Sequence, residues 1–174
     1  MGLVKVAVTS VTFTAGPIPA RMLTMPQKRT IVLLLGALLT PALLSAKQLA
    51  VVTDTSNSTA NLTTAELVKI FTIQTHNWSD GKPVIVVIRD PSSSDMEIVL
   101  RKVLNMTPVQ ARAFIQTHKA NVVVADSDQA VLKFVAGNRG AIGIVDLYSL
   151  TKDVTVVKVN GKLPVEQGYL LRGN

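Results

Sequence analysis

No cysteine occurs among the 174 residues. That excludes disulfides and thiolate-held metals. It also excludes the lipid-modified kind of bacterial leader, which needs a cysteine at its cleavage point. Acidic residues are missing from the whole first part of the chain, and Asp54 is the first to occur. Only two histidines are present, His76 and His118, with no flanking ligand pattern; such residues read as surface or half-buried side chains rather than metal ligands. The sequence contains no Gly-x-Ser-x-Gly nucleophile elbow and no phosphate loop ending in Gly-Lys-Ser/Thr. Nothing in it argues for catalysis, and no motif asks for a cofactor.

The acid-free stretch has the layout of a secretory signal. Gln27, Lys28 and Arg29 form a basic start, Ile31 to Leu44 is leucine-rich, and Ser45 and Ala46 put small residues before a cut. As a helix this apolar run would span about 21 Å, against roughly 30 Å of membrane hydrocarbon. Pro41 interrupts it as well, so cleavage is expected rather than anchoring. A start at Met25 gives a leader of ordinary length and makes residues 1–24 an over-extension, although the alternating Val4, Val6 and Val8 can form a strand. The expected organisation is a signal region over residues 1–46, cut after Ala46, and one domain over residues 47–174, working in the periplasm. Loss of Lys5, Arg21, Lys28 and Arg29 with the leader lowers the net charge from +7 to +3. What remains is scattered, which argues against nucleic acid as a partner and leaves a mild attraction for small anions.

Beyond Lys47 the pattern alternates between strand and helix. Gln48 to Thr53 reads as a strand and Asp54 to Asn61 as a polar loop. Thr63 and Glu66 form a capping box before the helix that carries Leu67, Ile70 and Phe71. Trp78 lies in the turn Asn77 to Gly81. Val84 to Ile88 is an unbroken β-branched run, the mark of a strand covered on both faces, and a helix is expected from Ser94 to about Leu104. Thr107 with Pro108 opens another helix, Ala120 to Ala125 is extended, and Asp126 or Ser127 caps a helix that Gly137 stops. Gly140 to Val145 and Val154 to Val159 are strands, and a last strand is expected near Tyr169 to Leu171. The sum is an α/β fold of three layers, a mixed sheet flanked by helices.

In order, Leu62 to Phe71, Trp78 to Gly81, Arg89 with its serine-rich turn, Gly140 to Gly143, and Val159 to Pro164 with Tyr169 and Leu170 resemble the phosphate-type substrate-binding proteins of ABC transporters. The resemblance covers nearly all of residues 48–171. It implies a type 2 periplasmic-binding-protein-like fold, here as a single lobe, and capture of phosphate or a related oxyanion without chemistry. It also implies delivery to the transporter's membrane subunits, with Arg89, Ser92, Ser93 and Ser94 as the anion-holding residues. In that family's turn an acid stands where this chain has Pro91, and a hydroxyl where it has Asp95.

The residues themselves allow two readings of positions 89–95. A strand end, a serine-rich turn and a helix start aim free amides and hydroxyls at one spot, and Arg89 offers a fork that matches an oxyanion. Alternatively Ser94 and Glu97 form a capping box that spends those amides internally, with Asp90 paired to Arg89. The polar loop Thr53 to Ser58 could bring hydroxyls to the same crevice. Asp126 and Asp128 are explained as capping residues, and Gly140 and Gly143 as points of close backbone packing. A one-sided site leaves its ligand hydrated, so a homodimer that restores a two-sided cleft is one expectation. The alternative is an envelope interaction module that has lost transport and binds a protein.

Overall fold

The computed structural model describes residues 47–173. The expected signal region, with its start at Met25 and its cut after Ala46, lies outside the described residues. Apolar runs that no charge interrupts form the middle of the sheet: β1 (Leu49–Asp54), β3 (Ile85–Arg89) and β5 (Ala141–Asp146) are covered on both faces. With β2 (Asn61–Leu62), β4 (Val122–Ala125) and β6 (Val154–Val159) they make a six-stranded sheet in the order β2-β6-β1-β5-β3-β4. β3 is parallel to β4 and β5, whereas β1 is antiparallel to β5 and β6. The sheet is mixed, as the sequence predicts.

Four α-helices flank it among the described residues: α1 (Thr64–Phe71), α2 (Ser94–Val99), α3 (Pro108–Thr117) and α4 (Asp128–Gly137). On one face Leu67, Phe71, Val99 and Ile115 join Val51, Val86 and Ile142 in a single core. On the other, Val131 and Val135 of α4 meet Val52, Val87 and Val145. Neighbouring strand residues such as Val86 and Val87 thus serve opposite cores, because side chains alternate across a strand. Each side chain so buried contributes about 1.5–3 kcal/mol.

The helix starts follow their local chemistry. Thr63 accepts from the Glu66 amide at 3.2 Å while Glu66 accepts from the Thr63 amide at 2.8 Å. Thr107 and Gln110 repeat the box, with Pro108 as the first helical residue. Ser127, not Asp126, caps α4. α2 departs from expectation: its cap is Ser93, which accepts from the Met96 amide, so Ser94 lies inside the helix and forms no capping box with Glu97. The cause is a tight turn at Asp90, whose carbonyl accepts from the Ser93 amide and brings the chain into the helix one residue early. After Val99 the helix widens into a π-helical turn, Leu100–Leu104, in which Leu100, Val103 and Leu104 are all buried.

Two further expectations are corrected. No strand forms near Tyr169 to Leu171. Successive turns from Leu163 to Tyr169 leave a single bridge, Gln48 to Arg172, in which the Leu49 amide donates to the Leu171 carbonyl and the Gly173 amide to the Lys47 carbonyl. The loop Thr53 to Ser58 does not share a crevice with Arg89. β1 runs against β5, and Thr53 pairs with Ile142 near that strand's start, so the loop lies at the opposite end of the sheet. There Asp54 accepts from the Gly140 amide at 2.9 Å and from the amide and hydroxyl of Ser56. Burial pushes its carboxyl up, but those hydrogen bonds and the charge of Lys82 together hold it below the ordinary aspartate range.

Candidate anion-binding site

The parallel strands β5, β3 and β4 end side by side, which in open α/β sheets is where ligands sit. Their carboxyl ends carry Arg89, the segment Ala125 to Asp128, and Asp146 with the short turn Leu147–Ser149. Lys47 reaches the same end because β1 runs the other way. Sequence reasoning missed the partner this arrangement gives Arg89. Its Nη1 donates to Asp128 Oδ1 at 2.6 Å and lies 3.5 Å from Asp95 Oδ2. Asp95 in turn pairs with Lys47.

Asp128 is buried at the first position of α4. Besides Arg89 it accepts from the Asp146 amide and from the Ser149 hydroxyl, each at 3.0 Å. One carboxylate therefore ties the ends of β3 and β5 to the start of α4. The expected pairing of Arg89 with Asp90 does not occur. Asp90 accepts instead from the Ser92 amide at 2.7 Å and from the Ser92 hydroxyl. The hydroxyl first, and then the amide, hold its carboxyl below the ordinary aspartate range, with Arg112 adding a smaller share.

Of the four predicted site residues, the three serines share one cavity wall, and Ser94 also touches Lys47 and Asp95 of the Arg89 cluster. Ser92, Ser93 and Ser94 line a cavity of about 570 Å³ whose other walls include Pro91, Leu100, Arg101, Met106 and Gln110. Arg89 is not among its lining residues; its Nη1 faces Asp128 and Asp95, and its buried Nε has no partner. The hydroxyl of Ser92 is spent on Asp90 and Ser94 is loosely bonded to Lys47 and Asp95 at 3.4 Å. Ser93 uses only an oxygen lone pair as a cap, so its proton stays free to donate. Charge around Arg89 is balanced: Lys47 and Arg89 face Asp95 and Asp128. An anion here would be held by directed donors rather than by net charge.

Trp78 and the glycines behave as the sequence suggests. Trp78 is buried and donates from Nε1 to the Gly140 carbonyl at 2.8 Å, anchoring the turn after α1 to the start of β5. A Cβ on Gly143 would lie 2.6 Å from Val131 Cγ1, so that glycine lets α4 lie directly on β5. His118 is half-buried against the Phe114 ring. No described helix is long and apolar enough to cross a membrane.

A mixed sheet with helices on both faces and a serine-rich turn at its parallel strand ends defines the class, a three-layer α/β domain. The chain belongs to the PBP superfamily, whose domain model matches residues 43–170. Among solved structures it is similar to PstS from Borrelia burgdorferi, with 20% identity and a TM-score of 0.61 over 74% of this chain and 55% of that one. An ABC-type phosphate transport receptor from Vibrio cholerae gives 24%, 0.57, 74% and 55% for the same measures. A Clostridium perfringens protein assigned as a phosphate ABC transporter substrate-binding protein, with bound phosphate, gives 23%, 0.59, 68% and 47%. The chain spans about half the length of these structures, and at such identities the likeness establishes the fold. No curated protein matches the chain.

Proposed function

We propose that this protein binds phosphate or a related oxyanion without transforming it, as a single lobe of the phosphate-transporter type that passes its ligand to a membrane partner. The observation that carries this reading is the place of the turn Asp90 to Ser94. It follows the central parallel strand, it keeps an unspent hydroxyl at Ser93, and Arg89 stands behind it in a fixed orientation. Bonds from Arg89 to the anion would come from its Nη2, which enters none of the pairs with Asp128 or Asp95. A second copy or a partner protein would close the site from the other side.

Isothermal calorimetry of the protein with phosphate, sulfate and related oxyanions tests this. Binding in the millimolar range or tighter is expected, weakened at least tenfold by Arg89→Ala and by Ser93→Gly, which keeps a usable cap. No heat and no thermal shift at millimolar ligand would overturn it. The second reading, an envelope interaction module, would then stand. It is favoured by Tyr148, which is 82% exposed in the turn after β5, beside this same crevice.

Export belongs to the same proposal. Residues 1–46 act as a cleavable signal, and the periplasmic protein begins at Lys47. Intact mass of the secreted product checks this, and a mass that retains residues 25–46 would contradict it.

A further inference from the structure

The cavity beside the serine turn is far larger than a bare inorganic anion needs, and it combines hydroxyls, both signs of charge and apolar surface. Ser92, Ser93 and Ser94 supply the hydroxyls of its lining. Its floor is apolar, with Leu100 and Pro91 buried and Met106 half-buried. Glu97 and Arg101, four residues apart on the same helical stretch, both line it and are exposed, and among the described residues neither takes part in an ion pair. A volume of about 570 Å³ with mostly apolar walls and a few polar groups is the form of a small-molecule pocket. A free dianion would gain nothing from the floor and would be repelled by Glu97.

From this lining, and resting on the oxyanion reading above, we infer that the ligand is an organic phosphate or phosphonate carrying a short carbon chain and a cationic amine. The oxyanion head takes the Ser93 and Ser94 hydroxyls, with Arg89 Nη2 behind the turn as in the reading above and the Arg101 guanidinium on the cavity side. The carbon chain covers Leu100 and Met106, and the ammonium meets Glu97. Each unpaired charge of the pocket thus finds its opposite on one zwitterionic molecule. The area removed from water over the floor is what an inorganic anion lacks.

The test compares inorganic phosphate, n-propylphosphonate and 3-aminopropylphosphonate by calorimetry on the same protein. Affinity should rise at each step, about tenfold or more from phosphate to the aminoalkyl compound. Glu97→Gln should remove the advantage of the aminoalkyl over the alkyl compound and strengthen phosphate binding, because the repelling carboxylate is gone. Met106→Ser should reduce the advantage of both organic ligands over phosphate. Phosphate binding with no gain for either organic compound overturns this inference and leaves the oxyanion reading intact; no binding of any of the three removes both. Vesicles of an ethanolamine phospholipid, sedimented with the protein in parallel, separate a membrane-borne source of the same group from a free one. Capture that Glu97→Gln abolishes supports the assignment from either source.

Discussion

Asp128→Asn should cost the fold about 3 kcal/mol, read as a lower midpoint in urea at unchanged slope. The substitution keeps the shape and removes the charge. Three donors converge on that carboxylate: Arg89 Nη1, the Asp146 amide and the Ser149 hydroxyl. An asparagine must turn its NH2 group toward one of them, leaving donor facing donor. Arg89 is then left with only the 3.5 Å contact to Asp95, in a place where most of its side chain is out of water. Removing one member of a largely buried pair is costly, whereas replacing both members by apolar residues is often nearly neutral. Arg89→Met combined with Asp128→Leu should therefore recover most of the lost stability while abolishing anion binding. A loss below about 1 kcal/mol in the single variant would mean that Asp95 alone suffices to hold Arg89.

Gly140→Ala should be as damaging, for a different reason. Gly140 has φ +83, and a Cβ there would lie 2.3 Å from the Pro83 carbonyl oxygen. Neither group can yield easily. The Gly140 carbonyl accepts from Trp78 Nε1 and from the Ile85 amide, and its own amide donates to buried Asp54. Left-handed strain of about 1–3 kcal/mol adds to an overpacking cost of similar size. A fall in Tm of roughly 10 °C or more is expected. Trp78 is the only tryptophan, so its emission should shift to the red in the native state as well. Gly137→Ala is the matched control, since its added Cβ would meet nothing within 4 Å and its φ is not positive. Near-neutral or slightly raised stability is expected there.

What the sequence revealed was mostly local. Thr63 with Glu66, Thr107 with Pro108, the β-branched run before Arg89 and the glycines of β5 each carry their structural meaning within a few residues, and each element formed. What it concealed depended on strand direction and neighbours. The tie between Arg89 and Asp128 crosses 39 positions and exists only because α4 starts at the end of the sheet where β3 stops. A cap explained Asp128 too easily; Ser127 already supplied the cap, which left the carboxylate beside it free for another partner. The same blindness to direction put the Thr53 to Ser58 loop at the wrong end, because an apolar run does not say which way it lies in a sheet. The missing last strand had a visible warning in Pro164 and Gly168, which break the backbone between Lys162 and Tyr169 into turns.

The strand order also sets a timetable. Among the described residues β1 comes first along the chain, yet it lies between β5 and β6, the last two. Leu49 pairs with Asp146 and Asp54 with Val154, so β1 stays unpaired at the centre of the sheet until β5 and β6 have been made. Contacts so distant along the chain make folding slow, since a long loop must close before any of them is gained. The newborn polypeptide consequently carries β1 without either neighbour, open and threadable, until those two strands arrive.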